Sequence, residues 1–482
     1  DPLPVTVAAL RAVEIALASI DRLEVRGRDS AGIQVFVTGH QLDLAAEGVA
    51  ADLRRREADP LYTSMAVRSV PGGLSFVYKA AAEIGELGDN VAALRAAVTG
   101  DDLFHRAIAA PTAMVTVVGH TRWASVGIIS QPNAHPLTSE EPDATHPFVI
   151  AALNGDVDNH DELRESDGLR IPPEITTDAK VIPVLIGRRL DDGDDIVEAF
   201  RATVDRFEGS VAIAGATAVD TDCLLLALRG SGQSLNVGLA EDAFIVSSEV
   251  YGLVEETDQY IRMDGETTAP SGSNGQIVVL DRAGAGTTAG VTRLAYDGSA
   301  LPLVDGDVRS AEVTTRDIDR RGFRHFLLKE VTEAPESFRK TLRGKVVEGP
   351  SGLEVHLGHE ALPEAVAERL QSGAIRRIIA TGQGTAAVAA QSAAQALDDA
   401  AGTRLLVTAT TATELSGFGL ADDMSDTLLV AISQSGTTTD TNRTVDLARA
   451  RGASVIAIVN RRNSFLVDKA NTEIYTSDGR DV

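Results

Sequence analysis

The sequence predicts two folded units of different class, an α+β unit of stacked sheets in its first half and an α/β unit built on a parallel sheet in its second. Three observations carry this. At 482 residues the chain exceeds what one compact core supports. From residue 113 onward short apolar runs follow one another with few helices between them, the rhythm of layered sheets. Beyond residue 322 single strands alternate with helices, the rhythm of a parallel sheet wrapped by helices.

The elements follow in order. Residues 5–22 repeat Val, Ala, Leu and Ile at three- and four-residue spacing and predict an amphipathic helix. RGRDSAGIQVFV turns into a strand. Residues 38–112 alternate polar helical segments, VAADLRRREADP and NVAALRAAVTGDDLF, with a hairpin around VPGGLSFVY. Strands are then expected at AMVTVVGH, PFVIAALNG, GSVAIAGA, CLLLALRG, FIVSSEV and QIVVL, separated by Gly and Asp, with helices at DAKVIPVLIGRRL and DIVEAFRATVDRF. These make a first domain over 1–290. An acidic, Gly-rich connector, placed at 291–322, leads to a second domain over 323–482. There FRHFLLKEVTEAPESFRKTL is a helix. RRIIATG, TRLLVTAT, TLLVAISQSG and SVIAIVN read as buried strands, with GTAAVAAQSAAQAL and TTDTNRTVDLARARG as helices between them.

Composition removes several classes of function. A net charge of −26 argues against a nucleic-acid partner, which needs a basic face. No run approaches the roughly 18 uninterrupted apolar residues of a membrane span. Cys223, the one cysteine, lies in an apolar run, reads as a small buried hydrophobe and suggests a reducing, cytoplasmic setting. No metal-ligand spacing stands out, and no metal or redox cofactor is called for.

Two strand-to-helix junctions of the second half carry chemistry. In LLVAISQSGTTTDTNRTVDLA, Ser433, Gln434, Ser435, Thr437, Thr438 and Thr439 crowd one turn, with Gly436 relaxing the backbone. Hydroxyls and free N–H groups at a helix start attract anions. Helix capping is the simpler reading, but it needs a single Ser or Thr. The second junction, Gly382, Gln383, Gly384 and Thr385, has dinucleotide-like glycine spacing. The strand after it ends in Thr and Ala, without the carboxylate a ribose would need.

The first half offers Arg122 in GHTRWASVG, able to grip a carboxylate with two parallel hydrogen bonds. Asn154 and Gly155 end a strand, where a side-chain amide beside a glycine N–H forms an oxyanion hole. Asp178, at a helix start, fits either a cap or an ammonium ligand. Taken singly, each has an ordinary structural reading: a surface cation, a turn former, a cap.

The motifs LEVRGRDSAGIQV, GHTRWASVG, NAHPL, LNGDVDNHDELR, TTDAKVI and FEGSVAIA, in that order, resemble the class II glutamine amidotransferase domain. The second half, through HFLLKEVTEAPESFRKTLRGKV, SQSGTTTDT and IAIVNRRNSFLV, resembles the first sugar isomerase (SIS) domain of the glucosamine-6-phosphate synthase family. The resemblance spans nearly the whole chain except 38–112, where the family is shorter and this chain is read as carrying an insertion. It implies an αββα, Ntn-hydrolase-like first domain and a flavodoxin-like SIS domain that is incomplete at its C-terminus.

The resemblance also implies roles. Arg122 would hold the α-carboxylate of glutamine and Asp178 its α-ammonium. Asn154 and Gly155 would hold the oxyanion, and Trp123 would gate ammonia. Arg26 and Asp29 would shape the pocket. Ser433, Gln434, Ser435, Thr438 and Thr385 would bind the sugar phosphate. The implied reaction moves the amide nitrogen of glutamine to fructose 6-phosphate, giving glucosamine 6-phosphate and glutamate, in a homodimer formed through the SIS half. Two other readings stay open: a sugar-phosphate-binding regulator with a silent amidotransferase domain, and a glutaminase serving another keto sugar phosphate. The family's nucleophile is an N-terminal cysteine whose α-amino group, with a pKa of about 8, serves as base. This chain opens Asp-Pro-Leu-Pro, so that cysteine is expected to precede Asp1. Val126 stands where the family often has His, and Gly382-Gln383-Gly384 replaces its Gly-Thr-Ser. The family's catalytic Glu, His and Lys belong to a second SIS lobe and tail beyond Val482.

Overall fold

The computed structural model describes residues 4–24, 27–81, 88–230, 232–311, 322–323, 326–357, 361–462 and 464–476. The chain divides into two compact units, Asp1–Ala311 and Glu312–Val482.

The first unit opens with helix α1 (Pro4–Leu23), which buries Ala9, Val13, Leu17 and Ile20 on one stripe. Strand β1 (Ser30–Thr38), helix α2 (Glu47–Glu57), strands β2 (Val67–Val70) and β3 (Gly73–Ala81), helices α3 (Asp89–Thr99) and α4 (Asp102–Ala107) and strand β4 (Met114–Arg122) follow. The four strands form an antiparallel sheet in the order β2-β3-β1-β4. β3 pairs with β1 from Ser30↔Ala81 to Thr38↔Gly73. Residues 38–112 are therefore built into the sheet: they supply the hairpin β2–β3 and three of the helices that cover it.

The second sheet is ordered β13-β12-β8-β7-β6-β5. It comprises β5 (Leu137–Thr138), β6 (Val149–Gly155), β7 (Val211–Thr217), β8 (Cys223–Arg229), β12 (Gln276–Asp281) and β13 (Val291–Ala295). Helices α5 (His160–Ser166), α6 (Val181–Asp191) and α7 (Ile196–Val204) lie between β6 and β7 in the chain. A small sheet of β9 (Asn236–Leu239), β10 (Phe244–Ser247), β11 (Gln259–Arg262) and β14 (Val308–Ser310) completes the unit.

The two-residue alternation of strand side chains sorts the core into layers. On β1, Ile33, Val35 and Val37 pack with Leu17 of α1 and Phe104 of α4. Phe36, on the other face, packs with Val118, Ile150, Ala152 and Ala216 of β4, β6 and β7. The far face of β6, Val149, Ala151 and Leu153, meets Ile182, Leu185 and Phe200 of α6 and α7. The unit is an αββα sandwich. One boundary differs from expectation. Within the segment read as a connector, 291–295 pairs with β12 and 308–310 with β11, because Val291 and Ala295 bury there as strand residues. The first unit runs to Ala311.

The second unit contains α8 (Phe326–Leu342), a hairpin of β15 (Val346–Gly349) and β16 (Gly352–Val355) that the sequence reading had missed, and α9 (Glu364–Gln371). Then come β17 (Arg377–Gly382), α10 (Thr385–Ala401), β18 (Leu406–Thr411), β19 (Thr427–Ser433), α11 (Thr439–Ala450), β20 (Ser454–Val459), α12 (Phe465–Lys469) and β21 (Thr472–Tyr475). The sheet is parallel, ordered β18-β17-β19-β20-β21. α10 packs through Ala390 and Ala394 on the face bearing Ile378, Leu428 and Val430. α11 packs through Val445 and Ala448 on the opposite face, with Ile379, Leu429 and Val455. From β17 the chain crosses to β18 on one side, and from β19 to β20 on the other. That reversal opens a crevice at the carboxyl ends of β17 and β19, where ligands bind in sheets of this kind.

Candidate functional site

In the first unit three loops converge at the end of β4. Arg122, the last residue of that strand, is 4% exposed. Its guanidinium donates to the carbonyls of Val126 and Ile128, so the loop that follows wraps back over it. Burial pulls its pKa down, and the carboxylates of Asp178 and Asp29 push it back up. Asp29 fixes the start of the loop, its carboxylate accepting from Ala124 N at 2.8 Å and its N–H donating to Arg122 O at 3.0 Å. The residue at 126 contributes its main-chain carbonyl to this contact.

The second loop leaves β6 at Asn154 and Gly155. Gly155 has φ +121°, and a Cβ there would lie 2.0 Å from Ser210 O, so only glycine fits. Asn154 is exposed. The third loop carries Asp178, 4% exposed, which caps no helix: its Oδ2 accepts from Val157 N at 2.8 Å and its Oδ1 from Thr177 Oγ1 at 3.2 Å. Burial raises its pKa. Side chains stitch the loops together. Ser125 Oγ donates to Asp156 Oδ1 at 2.7 Å, and Ile128 N to Thr176 Oγ1 at 3.1 Å. Asn133, fully buried, accepts from Thr176 N at 2.7 Å and Thr177 N at 3.0 Å, while its amide donates to Glu174 O. Arg122 and Asp178 thus lie in loops joined by these hydrogen bonds, and Asn154 and Gly155 directly precede Asp156 and Val157, the residues through which the second loop is tied to the other two.

Trp123 is 75% exposed on the rim. Arg26 lies outside the described residues. Cys223, half-buried on β8, has its thiol pKa pushed up to about 12 by burial and by Asp220, and it takes no part. Sequence reasoning missed Asn133, Ser125 and Thr176. Asn133 opens the NAHP stretch, whose local sequence points to a turn and to nothing beyond it. Beneath the site, His120 and His135 stack with ring centroids 4.6 Å apart. Burial lowers both, His120 to about 4.

In the second unit, Ser433 ends β19 and its Oγ accepts from Gly436 N at 3.0 Å. Ser435 Oγ accepts from Thr437 N and Thr437 Oγ1 at 3.2 and 3.1 Å. The hydroxyls thus shape the turn. None of them caps α11, and among the described residues the N–H groups of Thr439, Asp440 and Thr441 have no protein acceptor. The capping reading fails, and an open helix start remains. At the neighbouring junction Gly384 has φ +59°, and α10 begins uncapped at the exposed Thr385. Gln383 Oε1 accepts from Thr413 N and Oγ1, both at 3.4 Å, tying β17 to the end of β18.

These features define a class: residues 374–482 match the family model of the SIS domain, so the second unit carries a SIS domain, and the first unit is an αββα sandwich. Most of the chain is similar to glutamine–fructose-6-phosphate aminotransferases (isomerizing). It is 30% identical to that of Symbiobacterium thermophilum over 90% of this chain and 65% of the relative. It is 28% identical to that of Streptomyces coelicolor over 98% of this chain and 63% of the relative. It thus spans just under two thirds of the length of these relatives. Among solved structures, a glutamine phosphoribosylpyrophosphate amidotransferase from B. subtilis aligns over 96% of this chain and 88% of its own, with 14% identity and a TM-score of 0.38.

Proposed function

We propose that this chain is the glutamine-handling and first sugar-phosphate part of an enzyme that makes glucosamine 6-phosphate and glutamate from fructose 6-phosphate and glutamine. The observation that carries the reading is the stitching together of the three loops that bear Arg122, Asp178 and Asn154–Gly155. Arg122 would exchange its carbonyl partners for the bidentate carboxylate of glutamine. Asp178 would take the α-ammonium, with Trp123 over the rim. The Asn154 amide and Gly155 N–H would stabilise the oxyanion as a thiolate attacks the amide carbon and ammonia leaves. The thiolate would be that of the N-terminal cysteine the resemblance implies. In the second unit the uncapped start of α11, with Ser433, Gln434, Ser435 and Thr438, would hold the phosphate, and Thr385 would reach it from the adjoining helix start.

Glutamate release by the full-length gene product, with and without fructose 6-phosphate, tests this. Release that rises with fructose 6-phosphate and yields amino sugar is expected. No release at all leaves the silent-domain regulator. Release indifferent to fructose 6-phosphate, without amino sugar, points to another keto sugar phosphate. A homodimer through the second unit is part of the proposal, supported by the exposed Leu327, Leu328, Val331 and Phe338 along α8. A monomeric mass by light scattering would contradict it. The single thiol supports a cytoplasmic setting. No helix among the described residues is long and apolar enough to cross a membrane. Cell fractionation tests the compartment.

A further inference from the structure

Strand β5 pairs with β6 through Leu137 and Thr138 alone. Past Ala151, the last β6 residue in that pairing, Leu153 N donates instead to Nδ1 of His135, at 3.3 Å. Leu153 directly precedes Asn154 and Gly155. His135 is 4% exposed, and the ring of His120 stacks against it. Burial, with the charges of His120, Arg122 and Lys79 opposing protonation, holds its pKa well below the usual 6.5. In a neutral imidazole whose Nδ1 accepts, the ring proton sits on Nε2. Nε2 faces Thr177 Oγ1 at 3.5 Å, and Thr177 Oγ1 donates to Asp178 Oδ1 at 3.2 Å. Among the described residues nothing else bonds to that hydroxyl. With its lone pair taken by the His135 N–H, the hydroxyl turns its own proton to the carboxylate. Asp178 needs that support, because burial favours its neutral form and the bonds from Val157 N and Thr177 oppose the shift.

We propose that His135 is a positioning residue of the first site, which through Thr177 holds the Asp178 carboxylate charged and oriented for the α-ammonium of the substrate. The inference rests on the glutamine reading of that site. His135 reaches no substrate itself. It joins the strand end that carries Asn154 to the loop that carries Asp178, by one ring with a fixed tautomer.

Ammonia release by the full-length gene product tests it, from glutamine and from glutaramate, which is glutamine without its α-ammonium. His135→Asn keeps an acceptor for Leu153 N but has no donor at the Nε2 position, whereas His135→Gln places a donor there. Thr177→Val cuts the relay at its second link and carries the same comparison if His135→Asn does not fold. Each variant is checked for an unchanged melting profile. The wild type is expected to prefer glutamine. His135→Asn and Thr177→Val should raise the KM for glutamine about 10-fold with kcat within about threefold, and leave glutaramate within about twofold. His135→Gln and Thr177→Ser should recover part of the loss. The double variant of His135→Asn with Thr177→Val should lose no more than either alone, because both cut one relay. An equal loss on both substrates would overturn the role of His135. So would full glutamine preference in His135→Asn or, where that does not fold, in Thr177→Val, beside lost preference in Asp178→Asn, and the clamp would then stand without the relay. A wild type that treats the two substrates alike, or releases no ammonia, would overturn the glutamine reading itself.

Discussion

The two candidate sites solve opposite electrostatic problems. In the first unit a permanent cation and a carboxylate are buried and already satisfied: Arg122 by two carbonyls, Asp178 by Val157 N and Thr177. In the second, backbone N–H groups at the start of α11 stand open, and the turn that leads into them, Ser433 to Thr438, carries only neutral side chains. Buried charges are stable only when paired, so the first site must be held by its fold before ligand arrives. The second is a dipole at the end of a sheet, which exists as soon as the strand and helix form. The first site should therefore fail through lost stability, and the second through lost affinity.

The sharpest way to break this contrast is at the base of the first unit. Asp101 takes both guanidinium nitrogens of Arg56, at 2.8 and 2.6 Å, and also accepts from Tyr78 OH at 2.9 Å. Asp101→Asn leaves the buried Arg56 with only the more distant carboxylate of Asp52, at 3.6 Å, and should cost about 3 kcal/mol in urea unfolding. Phosphate binding by the second unit should survive. Loss of both together would mean that the sites do not stand apart.

Acid should separate the units next. His120 falls from 6.5 to about 4 on folding, because burial and then Arg122 oppose its charge. The unfolded chain then binds the proton that the folded one refuses. Stability is unaffected above about pH 7.5 and falls as pH drops from 6.5 toward 4, by about 3 kcal/mol from this residue alone. His135 shifts in the same direction and adds to the loss. Melting of the first unit followed from pH 7.5 to 4.5 should show the decline, and His120→Gln should flatten it. An unchanged slope in that variant would move the cause elsewhere.

How legible this was in the sequence follows the same division. Strands β17, β19 and β20 and the serine turn could be read directly, because parallel strands are continuous apolar runs and their ligand groups lie together in the chain. The αββα layering was legible only as a count of strands. What joins the layers is the pairing of β3 with β1 and β1 with β4, and no local pattern encodes it. β13 and β14 read locally as linker because they are short and sit among Gly and Asp. In the first site the charged residues were visible, but the neutral ones that hold them were not. Asn133 lies 43 residues from Thr176 and reads locally as a turn former.

The smallest effects test the contrast most directly, in a matched pair. Asn133→Ala removes the acceptor of Thr176 N and leaves the N–H of the buried Thr177 without one, and should cost about 2 kcal/mol of first-unit stability. Phosphate affinity should not change. Ser433→Ala removes the acceptor for Gly436 N and a contact with Thr438 Oγ1 at 3.4 Å, beside a crevice that water can enter. Its stability cost should be near 1 kcal/mol. Phosphate affinity should nevertheless fall about 10-fold, because the turn no longer fixes the direction of its N–H groups. The discriminating quantity is the ratio of the two effects within each variant, measured by urea midpoint and by phosphate titration. If Ser433→Ala proved as costly to folding as Asn133→Ala and indifferent to phosphate, the turn would be a structural cap, and the difference between the two sites would be one of burial alone.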